Sequence, residues 1–276
     1  MSIKSHHIIY MGNYWYGTET SIESTTSRMY GGKRDKPSED DEYLVFGISE
    51  SDDIIKSVDL RDGFPPVYNQ GKLGSCTANA ISAAYVFDTM KQNIPTIFEP
   101  SRLFIYFNER KSNGTINEDS GASIRDSVLA ITNQGVCPET MWEYNIAKFM
   151  EQPTNECFDF AKNHKCISYK RVNQNLQQLK QCLIEGFPFV FGVDVYESFE
   201  NKEAMTTGVI PIPKDGEKLL GGHAICCAGF CDDKQAFIFR NSWGEEFGEK
   251  GYGYLPYEYL TNKNLSADFW TVRIVQ

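Results

Sequence analysis

The chain has no apolar run long enough to span a membrane as a helix. Positive charge is also short: 27 Lys and Arg against 37 Asp and Glu leave a net charge of −10. That balance disfavours a nucleic-acid partner or an anionic membrane surface. Cys-x-x-Cys pairs are missing. Cys226, Cys227 and Cys231 lie close together, but in an apolar, strand-like run that reads as buried core rather than a metal site. No metal and no cofactor is expected. The apolar run Ile8–Met11 is too short for the core of a secretion signal. Without such a signal, the eight cysteines read as mostly reduced. Histidine is scarce, with four in all. His6 and His7 sit near the N-terminus and His164 in a polar stretch, which leaves His223 as the one beside an apolar run.

What is present is an ordinary globular mixture, 41% hydrophobic and 23% charged, over 276 residues. That length suits one large domain or two lobes. Residues 1–56 differ from the rest. Thr18–Ser27 is rich in Ser and Thr, Lys33–Lys36 is a basic knot, and Glu39–Glu42 is acidic. Only Tyr43–Phe46 resembles a strand. Such a segment is an extended arm, and it stays ordered only when it lies on something. Two placements are open: a strap around the body, or a segment that occupies a cleft, with Met29–Phe46 crossing or capping it.

From residue 57 to 276 the pattern is that of a folded domain. Helices are expected over Thr77–Lys91, from Ser101 to about Lys111, and over Ile124–Asn133, with Ser101 and Ser123 as N-caps. The stretch from there to about Glu156 reads as aromatic loop. A short amphipathic helix, Leu176–Gly186, precedes strand-like runs at Pro188–Val195, His223–Phe230, Gln235–Arg240, Gly251–Leu255 and Phe269–Val275. Helices first and strands second predict an α+β protein with a helical lobe at about 68–165 and a β-rich lobe at about 166–276. A cleft between them is the natural site.

Three short stretches carry chemistry. Gln70–Cys76 is a glycine-containing loop that places Cys76 at a helix N-terminus, where the helix dipole favours a thiolate. Gly221-Gly222-His223 delivers an imidazole to the start of an apolar strand. Asn241-Ser242-Trp243-Gly244 supplies an amide to orient that imidazole and an indole to cover the bond. Each has a bland reading as core or turn; together they form a nucleophile, a base and an orienter.

These stretches, in this order, resemble the papain and cathepsin family of cysteine proteases. His223 and Asn241 lie 147 and 165 residues after Cys76. The glycine-rich run Gly244–Gly253 is similar to the family's, and the resemblance covers roughly residues 58–275. It implies a papain-like two-lobe fold, with an antiparallel β-barrel-like right lobe. The implied catalytic residues are Cys76, His223 and Asn241, with Gln70 and the Cys76 amide holding the oxyanion. Substrate-binding roles fall on Ser120, Gly121, Ala122, Gly222 and Trp243. Departures are visible. Leu73 stands where the family usually has a disulfide cysteine, Thr77 where it has an aromatic residue, and Ser120 where a second glycine is usual. The Gly-Ser-Cys-Thr-Ala-Asn-Ala variant resembles microbial and large-DNA-virus members. A cytoplasmic or virion-associated location is therefore expected over classical secretion.

The activity implied is a cysteine endopeptidase acting on protein or peptide through a thioester acyl-enzyme, monomeric, with residues 1–56 as candidate pro-segment and intramolecular inhibitor. Two other readings stay open. One is a silent papain-like binding module; the other is an acyltransferase that uses the same thioester.

Overall fold

Helix α1 (Cys76–Lys91) is buried on almost every side, and its sequence explains why it can be. Ala78, Ala80, Ala83 and Ala84 have high helix propensity and let neighbours approach closely. The structure, a computed structural model, describes residues 28–47, 55–95 and 97–276. Helices α2 (Arg102–Ser112) and α3 (Ile124–Asn133) pack against α1. Ser101 caps α2 by accepting from the Phe104 N–H at 3.1 Å. Ser123 and Asp126 form a reciprocal capping box on α3. A further short helix, α4 (Asn155–Ala161), lies at the end of the stretch read as loop.

The second half is a sheet. Its strands are β5 (Cys166–Val172), β6 (Phe189–Tyr196), β7 (Leu219–Cys231), β8 (Ala236–Arg240), β9 (Tyr252–Pro256) and β10 (Ser266–Val275). Helices α5 (Leu176–Ile184), α6 (Lys202–Thr207) and α7 (Tyr257–Thr261) lie among them. The strand order is β5-β10-β6-β7-β8-β9, antiparallel at each step. Strand β3 (Ser57–Asp59) pairs with β7. The fold is the expected α+β arrangement of two lobes.

Strand β7 serves both lobes. Ala224, Cys226 and Ala228 belong to the core beneath α1, while Ile225, Cys227 and Phe230 belong to the core of the sheet. From Ala224 to Ala228 that alternation follows from the two faces of a strand, and a register shift between Cys227 and Gly229 places Phe230 on the sheet's side. The sheet's core is aromatic, with Phe191 and Phe269 stacked at 5.4 Å. Each such side chain, fully buried, contributes about 1.5–3 kcal/mol. All eight cysteines are free thiols, and Leu73 is buried in the helical lobe's core. Among the described residues no cluster of side chains could hold a metal ion. No described helix is long and apolar enough to cross a membrane.

Strand β5 was not expected from sequence. Its Lys170 and Arg171 break the apolar alternation, and both pair with acidic residues of the arm. The arm adds two short strands. Strand β1 (Gly32–Lys33) runs parallel to β4 (Ala122–Ser123), and β2 (Tyr43–Leu44) runs parallel to β5. His6, His7 and Thr18–Ser27 lie outside the described residues.

Candidate active site

Two loops are zipped together at the seam between the lobes. The Gln70 N–H donates to the Ser242 carbonyl at 2.9 Å, and the Gly244 N–H to the Tyr68 carbonyl at 2.9 Å. The Ser242 hydroxyl donates to Gln70 Oε1 at 2.6 Å, which leaves Gln70 Nε2 to donate to the Leu73 carbonyl at 3.0 Å. Gln70 is therefore fixed by both ends of its amide. Its Nε2 carries a second hydrogen beyond the one given to Leu73. Cys76 is the first residue of α1 and is fully buried.

The imidazole of His223 is held from one side. Its Nε2 lies 2.9 Å from Asn241 Oδ1. The same Oδ1 accepts from the Ser242 N–H at 2.9 Å, which fixes it as the amide's oxygen. A carbonyl oxygen only accepts, so Nε2 carries the proton and Nδ1 is left as the basic nitrogen. The Trp243 ring stacks on the imidazole at 5.0 Å and 22°, shielding the bond from water. Asn241 Nδ2 is buried and, among the described residues, has no hydrogen-bond partner.

Electrostatics in this closed arrangement differ from the thiolate expected at a helix N-terminus. Burial pushes the Cys76 thiol up to about 12, against an opposing pull from the backbone of Ala224, Thr77 and Gly31. Burial also pushes His223 down to about 4, partly offset by Asn241, with Arg28 lowering it further. The helix dipole contributes about 0.3–1 kcal/mol at a terminus. Desolvating an ion costs several kcal/mol, so burial wins. In this covered arrangement burial favours the thiol and the neutral imidazole.

What buries them is the arm. The Gly31 carbonyl accepts from the Ala122 N–H at 2.9 Å. The contacts at Gly31 are backbone on backbone: a Cβ added there would fall 1.8 Å from the Gly74 carbonyl oxygen, and one added at Gly121 would fall 2.0 Å from the Gly31 oxygen. On the opposite wall, a Cβ on Gly222 would fall 2.3 Å from the Gly32 oxygen. Tyr30 lies over Gly221. The Arg28 guanidinium sits 4.4 Å above the Trp243 ring and pairs with Glu200 at 2.8 Å. The arm thus passes between Gly74 and Gly121 on one side and Gly222 on the other.

Of the residues expected to bind substrate, Gly121, Ala122, Gly222 and Trp243 all touch this segment. The Ser120 hydroxyl instead turns to Thr115 Oγ1 at 2.8 Å and to its own loop. Several positioning residues had no legible signal. Asp119 accepts from the Gly74 N–H at 3.0 Å and from the Tyr106 hydroxyl, while the Gly121 N–H donates to Tyr106 Oη at 3.1 Å. The two loops facing the cleft are thereby cross-linked. Thr77, where an aromatic residue is usual, donates to the buried Glu109 at 2.9 Å, as does Ser127. Burial raises the Glu109 carboxyl to about 8, despite those two donors. These polar residues look like any helix-surface residue in sequence; only the packing of α2 turns them inward.

A cysteine opening a buried helix, and an imidazole fixed by an asparagine under an indole, define the papain-like class of thiol peptidases. The family model for papain family cysteine proteases matches residues 54–265, and the chain belongs to that family. It is 39% identical over 277 residues to an uncharacterized peptidase C1-like protein of Acanthamoeba polyphaga mimivirus, covering 91% of this chain and 89% of that one. Ananain of Ananas comosus is 27% identical over 72% of this chain and 55% of ananain. Among solved structures, xylellain, a cysteine protease from Xylella fastidiosa, superposes with a TM-score of 0.83 at 40% identity, covering 90% of this chain and 96% of xylellain. Digestive procathepsin L 3 of Tenebrio molitor shares the fold, with a TM-score of 0.67 at 16% identity over 91% of this chain and 78% of that one. The protein is a cysteine-type peptidase.

Proposed function

We propose that this peptidase is an endopeptidase that cleaves peptide bonds through a thioester acyl-enzyme, and that its own N-terminal arm holds it latent. The observation that carries the latency is the seating of Tyr30–Gly32 against Gly74, Gly121 and Gly222, on both sides of Cys76 and His223. A substrate strand needs that same space and the same Ala122 N–H. With the arm displaced, water and substrate reach the pair, and the desolvation that holds both groups neutral is relieved. His223 Nδ1 then takes the thiol proton and the sulfur attacks the peptide carbonyl. Gln70 Nε2 and the Cys76 N–H hold the oxyanion. His223 protonates the leaving amine and afterwards activates water to release the acid. Asn241 keeps the imidazole aimed throughout. Among the described residues, His223 is the one histidine at the cleft; His164 stacks on Phe160 in the helical lobe.

The buried, neutral pair also fits the silent binding module. The test is labelling of Cys76 by a thiol-directed peptidyl epoxide, read by peptide mapping, beside hydrolysis of a fluorogenic peptide. Selective labelling of Cys76 and hydrolysis abolished by Cys76→Ala are expected. An unlabelled Cys76 with the arm displaced, or hydrolysis that survives Cys76→Ala, contradicts the reading. Acyl transfer to an added amine in preference to water would move the assignment to the acyltransferase.

A further inference from the structure

We infer that the hollow beside His223 is a subsite for a basic side chain, with Asp194 as the specificity-determining residue. Peptides cut at this site would carry arginine or lysine within three residues before the scissile bond. The inference rests on the cleavage site proposed at Cys76. Register creates the hollow. Gly192 pairs with Ala224 and Asp194 with Gly222 across β6 and β7, and cross-strand partners share a face. Three of those four positions carry a hydrogen or a methyl group, so the sheet face is empty there. Ile124 of α3 closes the hollow from the helical lobe, Asp194 and Asp268 line it next to His223, and the arm's Gly32, Lys33 and Arg34 form its remaining wall.

The two carboxylates are not equivalent. Asp268 is answered within the body by Arg171 Nη1 at 3.3 Å, and it also accepts the Asp35 N–H at 2.8 Å. Asp194 is answered by the arm: Arg34 Nη2 lies 2.9 Å from its Oδ2, and among the described residues that is its ion pair. When a substrate replaces the arm, Asp268 keeps Arg171, whereas Asp194 loses its cation. A basic substrate side chain restores what Arg34 supplied; an aliphatic one leaves a partly buried carboxylate unpaired, and an acidic one adds a like charge. Arginine should exceed lysine, since its planar fork suits a carboxylate.

The test uses the full-length chain carrying Gly31→Leu, which opens the cleft, and Arg34→Gln as a second background that removes the arm's cation from Asp194 while leaving the body's side of the lining unchanged. Peptidyl epoxides with Arg, citrulline, Leu or Glu at each of the three positions before the warhead are timed for Cys76 labelling by intact-mass spectrometry. At one position Arg should label at least about fivefold faster than citrulline or Leu, with Glu slowest. Asp194→Asn should bring the Arg-to-Leu ratio close to one. That variant also frees Arg34, which changes the access of every probe alike, so the ratio is the readout. An Arg advantage absent at all three positions, or unchanged by Asp194→Asn, overturns the inference while labelling itself upholds the cleavage site. Labelling by no probe in either background overturns both.

Discussion

The arm's two halves hold the body by different means. Residues 28–34 meet the cleft with glycine backbone and with cations, on Trp243, Gly74, Gly222 and Asp194. Residues 35–46 grip the body with carboxylates and strand pairing. Asp35 receives Arg171 at 2.7 Å, the Trp270 Nε1–H at 2.8 Å and the Arg125 N–H at 3.0 Å. Asp41 takes Arg171 at 2.6 Å and also Arg125. Tyr43 and Leu44 then extend the sheet beside β5, and the Phe46 backbone exchanges two hydrogen bonds with the Gln178 amide. Cover of the cleft and anchorage therefore lie in separate residues. The first half covers the cleft with glycine backbone, a two-residue strand pairing and two arginines; the second is held by buried carboxylates and by pairing with β5.

That division can be broken at either half. The largest expected effect is in pH. With the Cys76 thiol near 12, the thiol is neutral below that value and the thiolate appears only as pH rises. At pH 7 the covered form is overwhelmingly the thiol. Alkylation of Cys76 by iodoacetamide should rise close to tenfold per pH unit from 7 to 10; a plateau below pH 9 would mean the cleft half does not cover the thiol. Next is the anchor. Asp35→Ala with Asp41→Ala leaves Arg171 without two of its three carboxylates, and breaking a buried pair costs about 3–5 kcal/mol. Arm occupancy should fall by about a hundredfold or more, and amide exchange should quicken over both halves. Exchange confined to residues 35–46 would show that the cleft half holds on its own. Thr77→Val should cost about 1–3 kcal/mol of stability by leaving buried Glu109 one donor short, without loosening the arm. The smallest effect is expected for Arg28→Ala, which removes a partly exposed ion pair and a contact to the Trp243 ring. A rise in hydrolysis of about two- to fivefold should follow.

The same contrast separates what could be read from sequence from what could not. Cys76, His223 and Asn241 were singled out by their combination and order, since each stretch alone reads equally as core or turn. Helices α2 and α3 were legible from caps and periodicity and β6 to β10 from β-branched and aromatic runs, whereas α1, buried on almost every side, has neither a side-chain cap nor an apolar stripe. Composition marked residues 1–56 as extended but carried no register. Lys33–Lys36 read as a basic knot, yet Arg34 faces Asp194 and Asp35 is buried between Arg171 and Trp270, partners more than a hundred residues away. Burial, followed by Asp268, raises the Asp35 carboxyl; burial also acts on Asp41, but Arg125 and Arg171 outweigh it and hold that carboxyl low. Two aspartates six residues apart thus have opposite electrostatics for reasons wholly tertiary. Strand β5 was missed for the same cause, since its charges are satisfied by the arm.

Gly31 is the residue at which the latency proposed for the arm is most open to experiment. Gly31→Leu places a side chain where the Gly74 carbonyl stands, while leaving every anchoring carboxylate and every catalytic residue in place. Initial rates of fluorogenic peptide hydrolysis by the two full-length proteins should differ by at least about tenfold in favour of the variant, the equivalent of roughly 1.4 kcal/mol of lost arm binding. Equal initial rates, with no cleavage of either arm during the assay, would contradict the account and make the arm a structural strap.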